Sequence, residues 1–305
     1  MRTIRGLESY PSDPAPAAVA LGIFDGVHLG HQAILDTAVR RARAAGLDAV
    51  ACTFDPHPMD VLQPQRASAP IASLAERLAV IGERGIDATV VLAFTLELAR
   101  MEPEAFVKDV LLGRLRAQQV VVGYNHTFGR GARGDARLLE ELAPRLGFEA
   151  TVVPPLVIDG VPVSSSEIRG ALRAGDVARA ARDLGRPYSI TGEVVRGAGR
   201  GRGLGFPTAN VQSERPLLVP AGVYACRARV GDRAAPAVVN IGVRPTFGET
   251  VLAVEAHLLD FSGDLYGSRV TLAFVERLRS EQKFPNVDAL LAQIAADVEH
   301  ARRVL

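Results

Sequence analysis

The sequence predicts an α/β domain followed by an antiparallel β-barrel domain. In the first half, apolar β-branched runs alternate with helical patterns about every 30 to 40 residues, which is typical of βαβ units in a parallel sheet. After Leu184 the pattern changes to short alternating runs separated by turns, which favours a small barrel. With 305 residues and 48% hydrophobic content, the chain can form two cores. We therefore predict domains 1–184 and 185–305.

The composition narrows the class of protein. The net charge is +1 and no basic stripe is visible, so we expect no nucleic-acid partner. No apolar run approaches the roughly 18 residues that span a bilayer. The N-terminus also lacks the apolar core of a secretory signal, so we expect no membrane partner and a cytoplasmic location. Cys52 and Cys226 lie far apart in strand-like runs, which argues against a disulfide and fits a reducing compartment.

Phosphate binding would need groups other than lysine. The sequence contains no G-x-x-x-x-G-K-[ST] loop, and Lys108 and Lys283 are its only lysines. Arginine, histidine, backbone N–H groups or a metal ion would therefore have to hold a phosphate.

The first domain is expected to contain five strands and intervening helices. After the first strand, apolar side chains fall on one helical face and Gly46 suits the position just after the helix. The strands are predicted at Val19–Phe24, Ala49–Phe54, Thr89–Phe94, Val120–Val122 and Thr151–Val153, and the helical face comprises Ile34, Leu35, Ala38, Val39 and Ala42.

Chemically active side chains follow four of these strands. Since open parallel sheets bind ligands beyond the carboxyl ends of their strands, we expect these side chains to form one site. The set comprises Asp25, His28 and His31 after the first strand, Asp55 and His57 after the second, Asn125 and His126 after the fourth, and Ser164, Ser165, Ser166 and Arg169 after the fifth.

The stretch after the first strand, "GIFDGVHLGH", combines two histidines with a glycine-rich turn at the start of a helix. Backbone N–H groups and the helix dipole favour anions there, and two imidazoles would stabilise negative charge on a phosphoryl group. Gly22, Gly26 and Gly30 would let the backbone approach a nucleotide. Two alternatives stay open: a helix-capping turn with two surface histidines, or a zinc site completed by Asp25 or His57.

This stretch resembles the G-x-F-D-G-x-H-x-G-H signature of the HxGH nucleotidyltransferases, specifically the adenylyltransferase module of prokaryotic bifunctional riboflavin kinase/FAD synthetases. "TFDPHP", "VVGYNHTFGRGARG" and "SSSEIR" follow in the family's order. Ser166 stands where the family usually has threonine, and "YNHTFG" departs from the commoner phenylalanine- and aspartate-rich form. The resemblance implies an ATP site in which His28 and His31 contact phosphates, Gly22, Phe24, Asp25 and Gly26 line the nucleotide, Asn125 lies near the phosphates or flavin, and Ser164, Ser166 and Arg169 close over the triphosphate.

The second domain is expected to contain short antiparallel strands and a C-terminal helix. The helix would pack through one apolar stripe. The strands are predicted at Ser189–Val195, Gly222–Val230, Ala237–Ile241, Val251–Leu259 and Arg269–Val275, and the stripe comprises Leu290, Leu291, Ile294 and Val298.

A second group of candidate residues begins with the glycine-rich segment "VVRGAGRGRGLGFPTANV". In an extended segment the oxygens of Thr208 and Asn210 would point the same way, as a magnesium ion held partly by substrate phosphates requires. An ST- or Asx-turn is the alternative for these two residues. Period two places Glu255 and His257 on one strand face, where Glu255 is either a solvated residue or a general base.

The segments "GFPTAN", "GVYA", "VNIGVRPTFG", "VEAHLLDFSGDLYG" and "LRSEQKF" resemble the riboflavin kinase module of the same family. The resemblance implies a six-stranded Greek-key barrel and Glu255 as the base that deprotonates the ribityl 5′-hydroxyl. It implies MgATP bound by Gly197, Arg200, Arg202 and Thr208, magnesium held by Thr208 and Asn210, and flavin surrounded by Tyr266, Arg279, Glu281 and Phe284.

Taken together, the two resemblances imply a bifunctional enzyme that phosphorylates riboflavin to FMN and adenylylates FMN to FAD, with ATP as co-substrate and Mg²⁺ as cofactor. Its small-molecule partners would be riboflavin, FMN, FAD and ATP. Two alternatives are a riboflavin kinase whose first domain has lost its chemistry, and a first domain that only binds flavin or nucleotide as a regulator or store. The sequence indicates no oligomeric state.

Overall fold

The computed structural model describes residues 1–197, 203, 205–246 and 249–305. The chain divides into two compact units. The first comprises Met1–Ser68 with Ala72–Ser164, and the second comprises Ala69–Ile71 with Ser165–Leu305. The boundary at residue 184 stays a prediction. Within the described ranges, no helix is both long and apolar enough to cross a membrane.

The first unit is built on a six-stranded parallel sheet, as the alternating pattern predicts. Its strands lie in the order β1-β4-β3-β2-β5-β8, and every neighbouring pair is parallel. The N-terminal edge strand β1 was not predicted, because two of its four residues are arginines and only one is apolar. The strands of this unit are β1 (Arg2–Arg5), β2 (Ala17–Leu21), β3 (Asp48–Asp55), β4 (Ala88–Ala93), β5 (Ala117–Gly123), β6 (Thr127–Phe128), β7 (Gly134–Asp135), β8 (Glu149–Val153), β9 (Val157–Ile158) and β10 (Val161–Pro162).

Helices cover both faces of this sheet. On one face, alanines at alternate positions of β2 and β3 leave room for the first helix to pack closely, with Leu35 and Ala38 fully buried. That helix ends at Gly46, whose left-handed φ of 66° lets its N–H donate to Ala42. The helices are α1 (Leu29–Ala45), α2 (Pro58–Leu62), α3 (Leu74–Glu83), α4 (Leu96–Arg100), α5 (Pro103–Ala105), continued by a π-helical stretch at Phe106–Arg114, and α6 (Ala136–Leu146).

The first predicted strand ends earlier than its sequence suggests. β2 stops at Leu21, and the chain then turns through residues with positive φ: Phe24 at 55°, Gly26 at 75° and Val27 at 42°. A strand cannot continue through left-handed conformations. The apolar residues after Leu21 therefore belong to a turn beyond the sheet edge.

The second unit is a closed six-stranded antiparallel barrel, which confirms the predicted fold class. Its strand order is β11-β12-β15-β14-β13-β16, and β16 returns to lie beside β13, which makes a Greek key. β12 was not predicted as a strand, because its five residues are mostly polar. The elements are α7 (Ser165–Ala174), α8 (Val177–Leu184), β11 (Ser189–Val195), β12 (Ala209–Ser213), β13 (Gly222–Val230), β14 (Arg233–Thr246), β15 (Glu249–Leu258), β16 (Arg269–Arg279) and α9 (Val287–Val304).

The C-terminal helix α9 packs on the barrel through a buried ion pair as well as through its apolar stripe. Leu290, Leu291, Ile294 and Val298 are each half-buried. Asp297 is fully buried, and its carboxylate accepts from Arg279 Nε at 3.1 and 3.0 Å. The side chains of Asp297 and Arg279 are 6% and 19% exposed, so this charge pair is largely removed from water.

We expect Asp297→Asn to destabilise the barrel unit by about 3 kcal/mol, because removing one partner leaves a buried charge unpaired. Calorimetric unfolding of the full chain measures the change. The matched control is Asp260→Asn, which removes the solvent-exposed pair between Asp260 and Arg302. That variant should unfold at the wild-type temperature. Equal effects of the two substitutions would contradict the assigned importance of the buried pair.

His126, in the turn between β5 and β6, carries a buried ring nitrogen. Its ring stacks on Phe128 with the centroids 5.9 Å apart. Its Nε2 atom is buried and has no hydrogen-bond partner in the described part of the chain. Burial lowers the pKa of His126 to about 4. The ring is therefore neutral near pH 7, and an unsatisfied buried nitrogen costs about 1–3 kcal/mol.

We expect His126→Phe to raise the unfolding temperature, since it removes that nitrogen and keeps an aromatic ring beside Phe128. The unfolded histidine titrates near pH 6.5 and the folded one near pH 4. As the pH falls through this window, the unfolded wild-type chain takes up a proton that the folded chain does not, so the wild type loses stability. The advantage of the variant should grow by up to about 3 kcal/mol between pH 6.5 and 4. Parallel stability profiles would contradict this account.

Candidate active sites

The turn after β2 places two histidine rings against each other. His28 precedes α1, and its Nδ1 accepts a hydrogen bond from the His31 backbone N–H at 3.3 Å. The two rings stack with their centroids 3.6 Å apart, and Phe24 meets His31 edge-on at 5.4 Å. Because Nδ1 of His28 accepts, its neutral ring carries the proton on Nε2, the atom that can donate to a phosphate oxygen.

His31 is a neutral imidazole in this arrangement. Its Nδ1 is buried and has no hydrogen-bond partner among the described residues. Burial, followed by the nearby His28 and Arg77, lowers the pKa of His31 well below its usual 6.5. His31 therefore acts on a ligand as a hydrogen-bond donor or acceptor and not as a resident positive charge.

Two glycines of the motif make room for these aromatic rings. A Cβ atom at Gly30 would lie 3.2 Å from the His28 ring, and one at Gly22 would lie 3.0 Å from the Phe24 ring. Asp25 is only 4% exposed, and its Oδ1 accepts from the Ala72 backbone N–H at 3.4 Å. Because these glycines have no side chain, the aromatic rings can lie close to the backbone of the turn. The hydrogen bond of the Asp25 carboxylate stabilises the same turn.

Arg77 on α3 is a buried cation that sequence reasoning missed. Its Nη1 donates to the Ile23 carbonyl at 2.8 Å, and both Nη atoms lie 3.3 Å from the Phe54 carbonyl. Its Nη2 is 3.5 Å from the Asp55 carboxylate. Burial lowers the pKa of Arg77, while Asp25 and Asp55 oppose that shift. A signal was present, since Arg77 lies one helical turn before the buried Ile81 on the apolar face of α3.

The other predicted residues of the first unit lie apart from the two histidines along the chain. Asn125 is exposed just after β5, and its Oδ1 is 3.6 Å from the position of a Cβ at Gly123. Ser164 is half-buried directly before α7. His57 caps α2 by accepting from the Met59 backbone N–H at 3.1 Å. In the described ranges no three His, Cys, Asp or Glu side chains are grouped as a metal site would require.

Ser166 and Arg169 belong to the second unit. Ser166 is exposed in the first turn of α7. Arg169 is half-buried one turn later, and its Nε donates to the Ala69 carbonyl at 3.2 Å. Both side chains thus lie near the start of one helix. The structure brings together Gly22, Phe24, Asp25, Gly26, His28 and His31 in one turn, whereas Asn125, Ser164, Ser166 and Arg169 come from other segments.

The barrel register aligns Glu255 with two asparagines. Glu255 on β15 pairs with Asn210 on β12 and with Asn240 on β14. Directly opposed residues of antiparallel strands point to the same face, about 4.5–5.5 Å apart at Cβ. The three side chains therefore form a carboxamide–carboxylate–carboxamide row. Sequence reasoning missed Asn240, because neighbours across strands are not visible in the sequence.

Glu255 lies on the face predicted for it. Val254, Ala256 and Leu258 are buried on the opposite face of β15, whereas Glu255 is half-buried. Because Glu255 is half-buried between two hydrogen-bonding side chains, the row favours a polar site over a plain outer face.

The predicted nucleotide residues of the barrel lie next to this row. Thr208 is exposed immediately before β12. Gly197 lies so close to the Asn210 carboxamide that no Cβ would fit between them. Arg200 and Arg202, which were also predicted to bind ATP, lie outside the described residues.

The predicted flavin residues differ in their surroundings. Tyr266 is 51% exposed, and the Arg196 guanidinium lies 5.6 Å from its ring centroid. Arg279 lies 5.6 Å from the Phe284 ring centroid, but the carboxylate on α9 already holds its guanidinium. Glu281 is exposed, and its Oε1 is 2.8 Å from the position of a Cβ at Gly242. Tyr266 and Glu281 are thus exposed and Phe284 is half-buried, while Arg279 binds a carboxylate of the C-terminal helix.

Comparison with known proteins identifies both halves of the chain. The family model for FAD synthetase matches residues 10–167, and that for riboflavin kinase matches residues 184–305. A bifunctional riboflavin kinase/FMN adenylyltransferase from Pseudomonas fluorescens is 39% identical over 303 residues, covering 99% of this chain and 97% of the relative. The protein of the same name from Bacillus subtilis (strain 168) is 37% identical and covers 95% and 93%.

A solved structure supports the same assignment of fold. A protein from Streptococcus pneumoniae, described as a macrolide-efflux protein, matches with a TM-score of 0.91 and 30% sequence identity over 99% of both chains. The efflux description is that protein's own. The family resemblance indicated by the sequence motifs is confirmed, and the chain belongs to the bifunctional riboflavin kinase/FMN adenylyltransferase family.

Proposed function

We propose that this protein carries out two ATP-dependent steps of FAD synthesis, with one domain for each step. Domain 185–305 phosphorylates riboflavin to FMN, and domain 1–184 transfers the adenylyl group of ATP to FMN, releasing pyrophosphate. The observation that carries the proposal is the presence of two chemically different constellations in one chain. One is the stacked pair His28–His31, and the other is the row Asn210–Glu255–Asn240.

In the adenylyl transfer, an FMN phosphate oxygen attacks the α-phosphorus of ATP, and the pyrophosphate oxygen leaves. We infer that Nε2–H of His28 and the neutral ring of His31 donate to the phosphate oxygens as charge develops, and that Arg169 adds a fixed positive charge. Gly22, Phe24 and Gly26 shape the turn that receives the nucleotide, with Asp25 as its internal brace. Asn125, Ser164 and Ser166 are the further hydrogen-bonding residues of this site.

In the kinase reaction, the riboflavin ribityl 5′-hydroxyl attacks the γ-phosphorus of ATP, and ADP leaves. We infer that Glu255 accepts the hydroxyl proton as the oxygen bonds to phosphorus. Asn210 and Asn240 are the cross-strand neighbours of Glu255. In this proposal they keep its carboxylate oriented toward the hydroxyl. Gly197, Arg200 and Arg202 would hold the ATP phosphates, while Tyr266, Glu281 and Phe284 surround the flavin beside Arg279.

Magnesium is the proposed cofactor of both reactions. In the barrel, the Thr208 hydroxyl and the Asn210 carboxamide oxygen are hard donors beside a carboxylate, which is the ligand set that Mg²⁺ prefers. The Gly197 backbone lies so close to the Asn210 carboxamide that any side chain at position 197 would displace this proposed ligand. When bound there, the ion would neutralise charge on the transferred phosphoryl group.

A cytoplasmic location without nucleic-acid or membrane partners completes the proposal. The net charge of +1 supports it, as do Cys52 and Cys226, which are buried free thiols. Burial raises the pKa of Cys52 to about 12, so this thiol is unreactive.

Two substitutions test the assignment of one reaction to each domain. His28→Ala should lower FAD formation from FMN by about 10²–10³-fold and leave FMN formation from riboflavin at the wild-type rate. Glu255→Gln should lower FMN formation by about 10²–10⁴-fold and leave FAD formation from supplied FMN intact. Chromatographic separation of flavins after incubation with MgATP measures both steps, and each variant is the control for the other.

Product analysis of the wild-type protein distinguishes the proposed pair of reactions from the alternative functions. Formation of FAD with release of pyrophosphate supports both domains. FMN as the sole product would favour a riboflavin kinase with a silent first domain. No product from either flavin would contradict the proposal.

The neutral state of His31 is testable without substrate. Since burial holds its pKa well below 6.5, its ring nitrogens should show no titration between pH 6 and 8 in ¹⁵N NMR spectra. A histidine-containing model peptide measured under the same conditions provides the reference. Assignment of the signals comes from the spectrum of His31→Gln. A His31 midpoint within this pH range would contradict the assigned role as a neutral donor.

A further inference from the structure

His257 makes a long-range contact with the segment that carries the proposed magnesium ligands. Its Nδ1 lies 2.7 Å from the backbone carbonyl oxygen of Pro207, 50 residues earlier in the chain. A carbonyl oxygen can only accept, so Nδ1 carries the proton and donates it. The Phe206 ring also meets the His257 ring edge-on at 5.6 Å. His257 therefore holds two consecutive residues, Phe206 and Pro207.

The contact begins where backbone pairing ends. The ladder between β12 and β15 runs from Val211 paired with Val254 to Ala209 paired with Ala256. The next residue of β15 is His257. At this position the contact is made by the side chain, which hydrogen-bonds to the Pro207 carbonyl. Strand pairing fixes the backbone at one end of this short stretch, and the imidazole fixes it at the other.

Thr208 lies between these two restraints. On its N-terminal side the Pro207 carbonyl is held by His257, and on its C-terminal side Ala209 is held by the ladder. Thr208 itself is exposed, so little packing constrains its hydroxyl. Its backbone position relative to Asn210 depends on the restraint at Pro207. Loss of the imidazole would remove this hydrogen bond from the peptide that precedes Thr208.

We propose that His257 is a positioning residue of the kinase reaction, which holds the Thr208 hydroxyl beside the Asn210 oxygen so that both can bind a magnesium–nucleotide complex. This inference rests on the proposed magnesium site. The observed hydrogen bond of His257 goes to the backbone, so the role assigned to it is to position Thr208 through Pro207. Partners that orient metal ligands in this way typically change metal affinity or activity by about 10–100-fold when removed.

The decisive experiment follows magnesium–ADP binding at Thr208 by NMR in the full-length protein. In the wild type, the Thr208 backbone amide should shift as magnesium–ADP is added. In His257→Ala the concentration for half of the shift should rise by at least about tenfold. His257→Asn places an amide donor near the position of Nδ1 and should recover most of that loss. Because no turnover is required, this readout is independent of the activity.

Kinetic measurements separate positioning from loss of structure. His257→Ala should raise the Mg²⁺ concentration for half-maximal FMN formation by a similar factor, while FAD formation from FMN stays at the wild-type rate. The matched control is His300→Ala, which removes another half-buried histidine of the same unit, one paired with Glu276 at 3.1 Å. It should leave the Mg²⁺ dependence unchanged.

The outcomes distinguish this inference from the function on which it rests. If the Thr208 amide of the wild type does not respond to magnesium–ADP, the magnesium site itself is wrong. If the wild type responds and His257→Ala responds at the same concentrations, the positioning role is wrong. An equal loss in His257→Ala and His257→Asn, or a comparable loss in the His300 control, would also overturn it.

Discussion

One buried guanidinium holds the ends of the two central strands of the parallel sheet. Arg77 donates to the carbonyls of Ile23 and Phe54, which lie where the chain leaves β2 and where β3 ends. The Ile23 carbonyl lies beyond the end of β2 and also accepts from the Thr53 hydroxyl at 2.9 Å. A buried carbonyl left without a partner would be costly. The charge of Arg77 is itself balanced by the nearby carboxylates of Asp25 and Asp55. The glycine-rich turn that carries His28 and His31 depends on this arrangement.

In the barrel, the register of the paired strands determines where the Glu255 side chain lies. Glu255 faces Asn210 and Asn240 only because β15 pairs with β12 and β14 in one particular alignment. A slip of one residue would turn Glu255 to the face where Val254 and Ala256 are now buried, and burying a carboxylate there would cost several kcal/mol. The apolar side chains of the barrel thus set the position of a polar group that they do not touch.

Much of both candidate sites could be predicted because their residues are close together in sequence. The His28–His31 spacing defines one helical turn, and period two along β15 places Glu255 opposite its buried neighbours, as observed. The early end of β2 could not be predicted, since nothing in the apolar run "LGIF" shows that Phe24 adopts a left-handed conformation. Arg279 shows a different limit. The motif that contains Arg279 does not indicate that its guanidinium forms an ion pair with the Asp297 carboxylate on α9.

Periodicity and short motifs are local properties of the chain, so the sequence alone was enough to predict the family and the two fold classes and to propose the reacting groups. The residues that surround and position these groups became visible only in the tertiary structure. Arg77, Asn240 and His257 contact groups that lie 54, 15 and 50 residues away in the sequence, through contacts that exist only once strands pair and helices pack. It also decided protonation, since His31 is neutral because folding removes its ring from water. Burial and register are properties of the whole fold, and no local pattern contains them.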